Sequence, residues 1–336
     1  MLNQQTKAKI SLYLNYFVFA ILLNSVGIVI LKAQKNFGVD ELQASTLELF
    51  KDLPIAIVSF LVASFLPRLG YRKSMLIGLA IIIAAAGFVA PLNAQADAAK
   101  GLKIAEEWDR RDHGFGDTNA VLRMILENRQ GQKSERKMRM RILEIPDPNE
   151  GDKSLVIFDH PRDVKGTAFL SFAHIDEPDD QWLYLPALKR VKRISSRNKS
   201  GPFLGSEFAY EDFTAQELKK YSYKWLRDEA CGALQCFVLV QIPTYENSGY
   251  TKTIVWIDKE HYRQQKIDYF DRKGELLKTL TFDKYQQHLN KFWRAYEMRM
   301  VNHQTGKKTV LSYSKFEFQT GLKDSDLRKN TLKRVR

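Results

Sequence analysis

From Lys137 the chain reads Lys-Met-Arg-Met-Arg-Ile, and the alternation is strict. Met138, Met140 and Ile142 fall on one side; Lys137, Arg139 and Arg141 fall on the other. A period of two sends successive side chains to opposite faces of an extended backbone, so this segment predicts a half-buried strand. It is expected to pair with 120–128 across the turn Arg129-Gln-Gly-Gln. Similar runs follow at 154–158, 167–174, 181–185, 190–194, 237–242, 251–257, 263–270, 276–285, 293–302 and 309–318. Turn chemistry at Asp271-Arg-Lys-Gly and Asn302-His-Gln-Thr-Gly separates several of them. About a dozen short strands with few helices predict a mainly β fold, one antiparallel sheet that is strongly curved and nearly closed. Two helical stretches are expected. One is 98–112, with Leu102, Ala105 and Trp108 on one face and Gly114 and Gly116 as its stop; the other is 214–221. The inward face of such a sheet is rich in Phe, Trp, Tyr, Met and Leu. Periodicity does not separate a packed core from a cavity, and taken alone it favours the core.

The first 96 residues read differently. The run 10–31 holds no charged residue and is long enough to cross a bilayer as a helix. A shorter uncharged run, 53–66, opens with Pro54, and 74–96 is rich in Ile, Ala and Gly. Lys7 and Lys9 precede the first run, and Arg68, Arg72 and Lys73 separate the second from the third. The positive-inside rule then leaves everything after about residue 97 on the far side of the membrane. The third run also has the parts of a secretory signal: basic Arg72-Lys73, an apolar stretch 75–90 and the small-residue site Ala94-Gln95-Ala96. Cleavage after Ala96 is expected, the alternative being an uncleaved helix. The chain thus reads as a membrane segment 1–73 with two spans, a third span or signal-like segment 74–96, and an exported domain 97–336.

The formal charge is +13, from 52 Lys and Arg against 39 Asp and Glu. Eight basic and four acidic residues lie before residue 97, which leaves forty-four against thirty-five for the domain. An exported basic domain meets anionic lipid or acidic protein rather than nucleic acid. Cys231 and Cys236 can close a small disulfide loop in an oxidising compartment, a reading favoured over free thiols. No histidine stands near them in sequence, so no zinc site is expected.

Two stretches carry family resemblances. Pro67-Arg-Leu-Gly-Tyr-Arg-Lys-Ser resembles the short loop between helices two and three of major facilitator transporters. At most three spans are present, too few for a path between two helical halves, so no transporter activity is expected. The second resemblance is carried by Gln181-Trp-Leu-Tyr-Leu-Pro-Ala-Leu-Lys-Arg-Val-Lys-Arg-Ile-Ser and Lys199-Ser-Gly-Pro-Phe-Leu-Gly-Ser-Glu-Phe-Ala-Tyr-Glu-Asp-Phe. With Trp108-Asp-Arg-Arg-Asp, Ile257-Asp-Lys-Glu-His-Tyr-Arg and Lys266-Ile-Asp-Tyr-Phe-Asp, these blocks make 97–336 resemble the outer-membrane lipoprotein-sorting proteins related to the periplasmic carrier LolA.

That resemblance implies an unclosed β-barrel lidded by helices, preceded here by up to three transmembrane helices. It implies a hydrophobic interior that receives acyl chains of lipid or lipoprotein in the periplasm of a Gram-negative bacterium, on the way to the outer membrane. It implies no catalysis, no metal and no cofactor. The alternative is a non-catalytic accessory subunit of an inner-membrane lipid exporter. Expected cavity residues are Met138, Met140, Phe169, Trp182, Leu183, Phe203 and Phe208. The basic run Lys189, Arg190, Lys192, Arg193, Arg197 and Lys199 is the candidate contact for lipid headgroups or an acidic partner, weighed equally against a solvated edge that deters aggregation. The segment 201–213 suits a loop at a cavity mouth, although simple packing of Phe203, Phe208 and Phe213 is favoured. Catalytic patterns are weak. Asp109 to His113 reads as a solvated helix end, Ser171 and Ser195 lack nucleophile-elbow glycines, and Glu211 and Asp212, taken as strand neighbours, point to opposite faces.

Overall fold

Alternation along the chain becomes thirteen antiparallel strands in a computed structural model, which describes residues 95–147 and 149–334. The chain divides into two compact units, Met1–Ala90 and Pro91–Arg336. The apolar runs 10–31 and 53–66, and the third run up to residue 94, lie outside the described residues. Among the described residues no helix is long and apolar enough to cross a membrane.

Helix α1 covers 95–112 and ends where Gly114 and Gly116 adopt positive φ. Its buried face is Gly101, Ile104 and Ala105, with Trp108 half-buried, and Leu102 is 42% exposed. The expected face was therefore rotated by one residue. The cause is Gly101, where a Cβ would stand 2.6 Å from the Trp225 backbone nitrogen. Only glycine lets the helix approach the strand this closely.

The strands are β1 (Asp117–Glu127), β2 (Lys133–Leu143), β3 (Glu150–His160), β4 (Ala168–His174), β5 (Asp180–Leu185), β6 (Arg190–Ile194), β7 (Tyr221–Cys231), β8 (Leu234–Pro243), β9 (Lys252–Asp258), β10 (Gln264–Phe270), β11 (Leu276–His288), β12 (Phe292–Asn302) and β13 (Lys308–Phe318). The predicted first hairpin forms, with Ala120 opposite Met140 and Leu122 opposite Met138. Strand β7 was not foreseen. The stretch 214–221, read as a helix, holds only a single 3-10 turn at Leu218–Lys220 before β7 begins.

The order across the sheet is β6-β5-β4-β3-β2-β1-β13-β12-β11-β10-β9-β8-β7. The chain starts mid-sheet, walks outward to one edge at β6, and resumes at the opposite edge at β7. It then walks back until β13 pairs with β1. The two edges do not pair with each other, so the barrel is unclosed. The connection between them, residues 195–220, has to span the opening; we term it the strap.

Concave-face residues of β1–β6 and β8–β13 form one large core with α1 and the strap, including Leu122, Met138, Phe158, Phe169, Leu239, Ile257, Leu280 and Leu311. The convex face is covered locally. Leu327 and Leu332 of the C-terminal segment bury Leu155, Ile157, Ala168, Leu170 and Trp182. Near the β7–β8 turn, Cys231 and Cys236 form a disulfide beside Val238 and Trp256.

Candidate functional site: a cavity beside the strap

The strap is built from short 3-10 turns and is tied down along its length. Phe203 enters the concave face and is fully buried, its ring 5.2 Å from Phe169, 6.0 Å from Phe158 and 4.2 Å from Phe213. Arg136 of β2 donates to the Leu204 carbonyl at 2.5 Å. On the other side, Lys278 of β11 donates to the Glu207 carbonyl at 2.9 Å and to Asp212 at 2.7 Å. Both members of that ion pair are almost wholly buried, and the Tyr250 hydroxyl also donates to Asp212 at 2.8 Å. A buried charge is tolerated only when paired and hydrogen-bonded, so this cluster fixes the strap's middle. Glu211 and Asp212 were expected on a strand; they sit instead on the turn Tyr210–Phe213. There Glu211 accepts bonds from Gly249, Ser248 and Tyr245. The two ends of the strap share one anchor: Lys199 lies 3.4 Å from the Asp179 carboxylate, and Lys220 bonds the same carboxylate.

Between the strap, α1 and strands β1–β3 and β10–β13 lies a cavity of about 1080 Å³. Its inner wall is apolar and aromatic: Met140, Phe208, Ile267, Leu280, Phe282, Met298, Leu311 and Tyr313. Burial pushes the Tyr313 phenol up to about 12, so that wall is uncharged. The mouth is polar. Asp109 and His113 at the end of α1, Glu144 and Asp152 around the β2–β3 connection, and Glu217 near the end of the strap all line it. Burial, reinforced by Glu217 and Glu144 nearby, pushes the Asp152 carboxyl up to about 7. Burial likewise raises Glu217 and Asp109. The cations at the mouth are already engaged: Arg111 with Glu107, Arg263 with Asp258, Arg294 with Asp112, and Lys291 with the His113 carbonyl.

Of the seven expected cavity residues, Met140 and Phe208 line this space. Met138, Phe169, Leu183 and Phe203 belong to the packed core under the strap. Trp182 lies on the convex side against Leu327 and Leu332. Adjacent residues of one strand face opposite ways, so Trp182 and Leu183 could not share a cavity. The basic run divides in a similar way. Lys189, Arg190, Lys192, Arg193 and Arg197 are exposed around and along edge strand β6, beside Leu188, which is 64% exposed. Lys199 is buried instead, because it starts the strap and is held by Asp179. Residues that sequence reasoning missed are Asp179, Lys220 and Lys278. Their partners lie far off in the chain, and no local pattern marks them.

A family model described as "Uncharacterized protein" matches residues 150–334. No curated protein matches the sequence. Among solved structures, a Vibrio parahaemolyticus domain described as an outer membrane lipoprotein-sorting protein is 59% identical, with 70% of this chain and 100% of that one covered and a TM-score of 0.69. A DUF1329 family protein from Desulfovibrio piger is 27% identical over 70% of this chain and 99% of its own, with a TM-score of 0.67. A LolA superfamily protein from Nitrosomonas europaea shares the fold at 21% identity, over 68% and 97% of the two chains, with a TM-score of 0.55. The unclosed sheet, the strap over its concave face and the identity to the Vibrio domain place this chain in the outer-membrane lipoprotein-sorting protein family, with a LolA-like fold.

Proposed function

We propose that residues from about 97 onward form a periplasmic carrier that shelters the acyl chains of a lipid or lipoprotein and delivers them toward the outer membrane. The observation that carries this reading is the cavity of about 1080 Å³ with an apolar inner wall. Ligand pockets run from roughly 300 to 1,000 Å³, so this one suits a large apolar cargo. Each methylene removed from water contributes roughly 0.8 kcal/mol. A chain that cannot cross an aqueous compartment bare gains enough from such a wall to travel inside it. The Cys231–Cys236 disulfide fits an oxidising compartment. The names of the Vibrio and Nitrosomonas relatives point the same way.

In this reading the exposed cations Lys189, Arg190, Lys192, Arg193 and Arg197 meet anionic headgroups or an acidic face of an inner-membrane exporter. Near an anionic surface each cation contributes about 1 kcal/mol. Leu188 among them would reach the interface.

The test is native mass spectrometry of the domain purified from a Gram-negative periplasm, followed by organic extraction. The expected result is co-purifying phospholipid or acylated peptide that is lost in Leu311→Asp, whose circular dichroism stays native. A clean apo mass that does not change after incubation with lipid or lipopeptide would sink the carrier.

A further inference from the structure

The cavity has an apolar wall and an acidic mouth, and among the described residues no lysine or arginine pairs with Asp152 or Glu217 there. Asp152 accepts a single hydrogen bond, from the Ile145 backbone nitrogen at 3.0 Å, and its charged neighbours are Glu217, Glu144 and His113. The Glu217 carboxylate lies against the backbone of Gly151, where a Cβ would stand 2.6 Å from its oxygen. Glu144 is occupied by the Gly114 and Gly116 amides, at 2.6 and 2.7 Å. His113 is bound to its own helix end, 2.8 Å from the Asp109 carbonyl and 3.5 Å from the Asp109 carboxylate. Lys219 lines the same opening and is exposed. Among the described residues no three metal-ligating side chains converge, so the carboxylates do not make a metal cage.

A second observation comes from deeper in the same cavity. Thr118 is 2% exposed, lines the cavity, and its hydroxyl has no hydrogen-bond partner. Its cross-strand neighbours are Ile142 and Phe318, which offer no side-chain acceptor. A buried hydroxyl without a partner costs stability, and it stays favourable when a ligand supplies the acceptor. Ile142 stands two residues before Glu144, which directly follows β2. Thr118 is therefore one pleat repeat, roughly 7 Å, inside the acidic mouth.

Resting on the carrier reading above, we propose that the mouth selects acylated amphiphiles with a primary ammonium head. The ammonium is held between Asp152 and Glu217. The Thr118 hydroxyl donates to the ester or amide carbonyl that follows, and the chains run inward along Leu280, Phe282 and Leu311. An ammonium matches the site because it brings both the missing charge and three donors to carboxylates with few donors of their own. Two sources carry this chemistry: a lipopeptide with a free terminal amine, and an aminophospholipid.

The 59% identical Vibrio chain is matched over its full length by 70% of this one, a share that corresponds to the described residues, so the domain folds without the first ninety residues. The experiment uses that domain and three probes: a diacyl lipopeptide with a free terminal amine, the same peptide N-acetylated, and phosphatidylethanolamine. Affinity is read by titration calorimetry below the critical micelle concentration. The free-amine peptide is expected to bind at least about tenfold tighter than its N-acetyl form, the worth of one charge-assisted hydrogen bond. That preference should fall to about twofold in Asp152→Asn and in Glu217→Gln, while N-acetyl binding stays put. Thr118→Val should weaken both peptides alike. Competition by phosphatidylethanolamine assigns the ammonium to a phospholipid, and failure to compete assigns it to the peptide amine. Equal affinity for both peptides in the unmodified domain would overturn the head-group proposal and leave the carrier standing. Binding of no probe would remove both.

Discussion

One sheet face makes two interiors. Under the strap, against β2–β5, the concave face is packed solid: Phe158, Phe169, Phe203 and Phe213 interlock ring on ring. Along β10–β13 the same alternation presents residues of the same kinds, including Leu280, Phe282 and Leu311, and they face a cavity. Nothing in the strands separates the two halves. The difference is which half receives Phe203, the strap ring that fills the concave face against Phe158 and Phe169. A sheet sets which side chains face inward, and a connection that belongs to no sheet decides whether the inside is filled.

The sharpest way to test that contrast is a matched pair of truncations. Phe203→Ala removes a ring from a closed, fully packed site and should cost about 4 kcal/mol. Phe282→Ala removes the same ring from a wall that already borders open volume, so fewer contacts are lost, and about 2 kcal/mol is expected. Urea denaturation of the two variants measures the difference. Equal costs would mean that the hollow half closes in solution.

A slightly smaller effect is expected at the hinge of the comparison. Asp179 holds Lys199 and Lys220, the entry and exit of the strap, and all three are largely buried. Asp179→Asn leaves two buried ammonium groups without their anion, a loss of about 3 kcal/mol. Hydrogen exchange should accelerate in 195–220 before it does in β2–β5. Uniform acceleration instead would show that the strap is not a separable element.

The two halves also differ in how far the sequence announced them. Strands were legible because period two is imposed by burial of one face, and 190–194 was placed to the residue. Strand β7 was not, although the other edge strand, β6, was. In β7 the alternation Tyr221-Ser-Tyr-Lys-Trp is broken by a register shift between Trp225 and Arg227. The stretch 214–221 has helix-forming residues, yet it is held extended by tertiary bonds: Gln181 donates to the Thr214 hydroxyl at 2.7 Å and Lys220 reaches Asp179. Propensity is a weak prior against such ties. Of the expected cavity residues Met140 and Phe208 line the space, and the other five lie elsewhere on similar grounds. Phe203 and Phe169 are inward and apolar, as predicted, but whether an inward residue touches a void or a strap depends on a crossing of the sheet that no local pattern encodes.

The last difference between the halves is electrostatic, and pH sharpens it. In the packed half the buried Asp179 carboxylate is held by Lys199 and Lys220. The mouth of the hollow half carries Asp152, held up at about 7 by burial, with Glu217, Glu144 and His113 as the charged groups facing it. In the unfolded chain this carboxyl titrates near its ordinary value of 3.8. Well below pH 3.8 both states are protonated and the group is neutral toward folding. As pH rises from there toward 7 the unfolded chain releases its proton and the folded one keeps it, so the unfolded state gains and stability falls. The full shift corresponds to about 4 kcal/mol, and partial solvent access at the mouth reduces this to about 2 kcal/mol. Asp152→Asn should therefore stabilise the domain by about 2 kcal/mol at pH 8 and by little at the acid end, below the ordinary value of 3.8. Paired urea melts at the two pH values decide it. A variant equally stable to the parent at both would mean that a counter-ion already resides at the mouth, and a bound ammonium ligand carried through purification would have that effect.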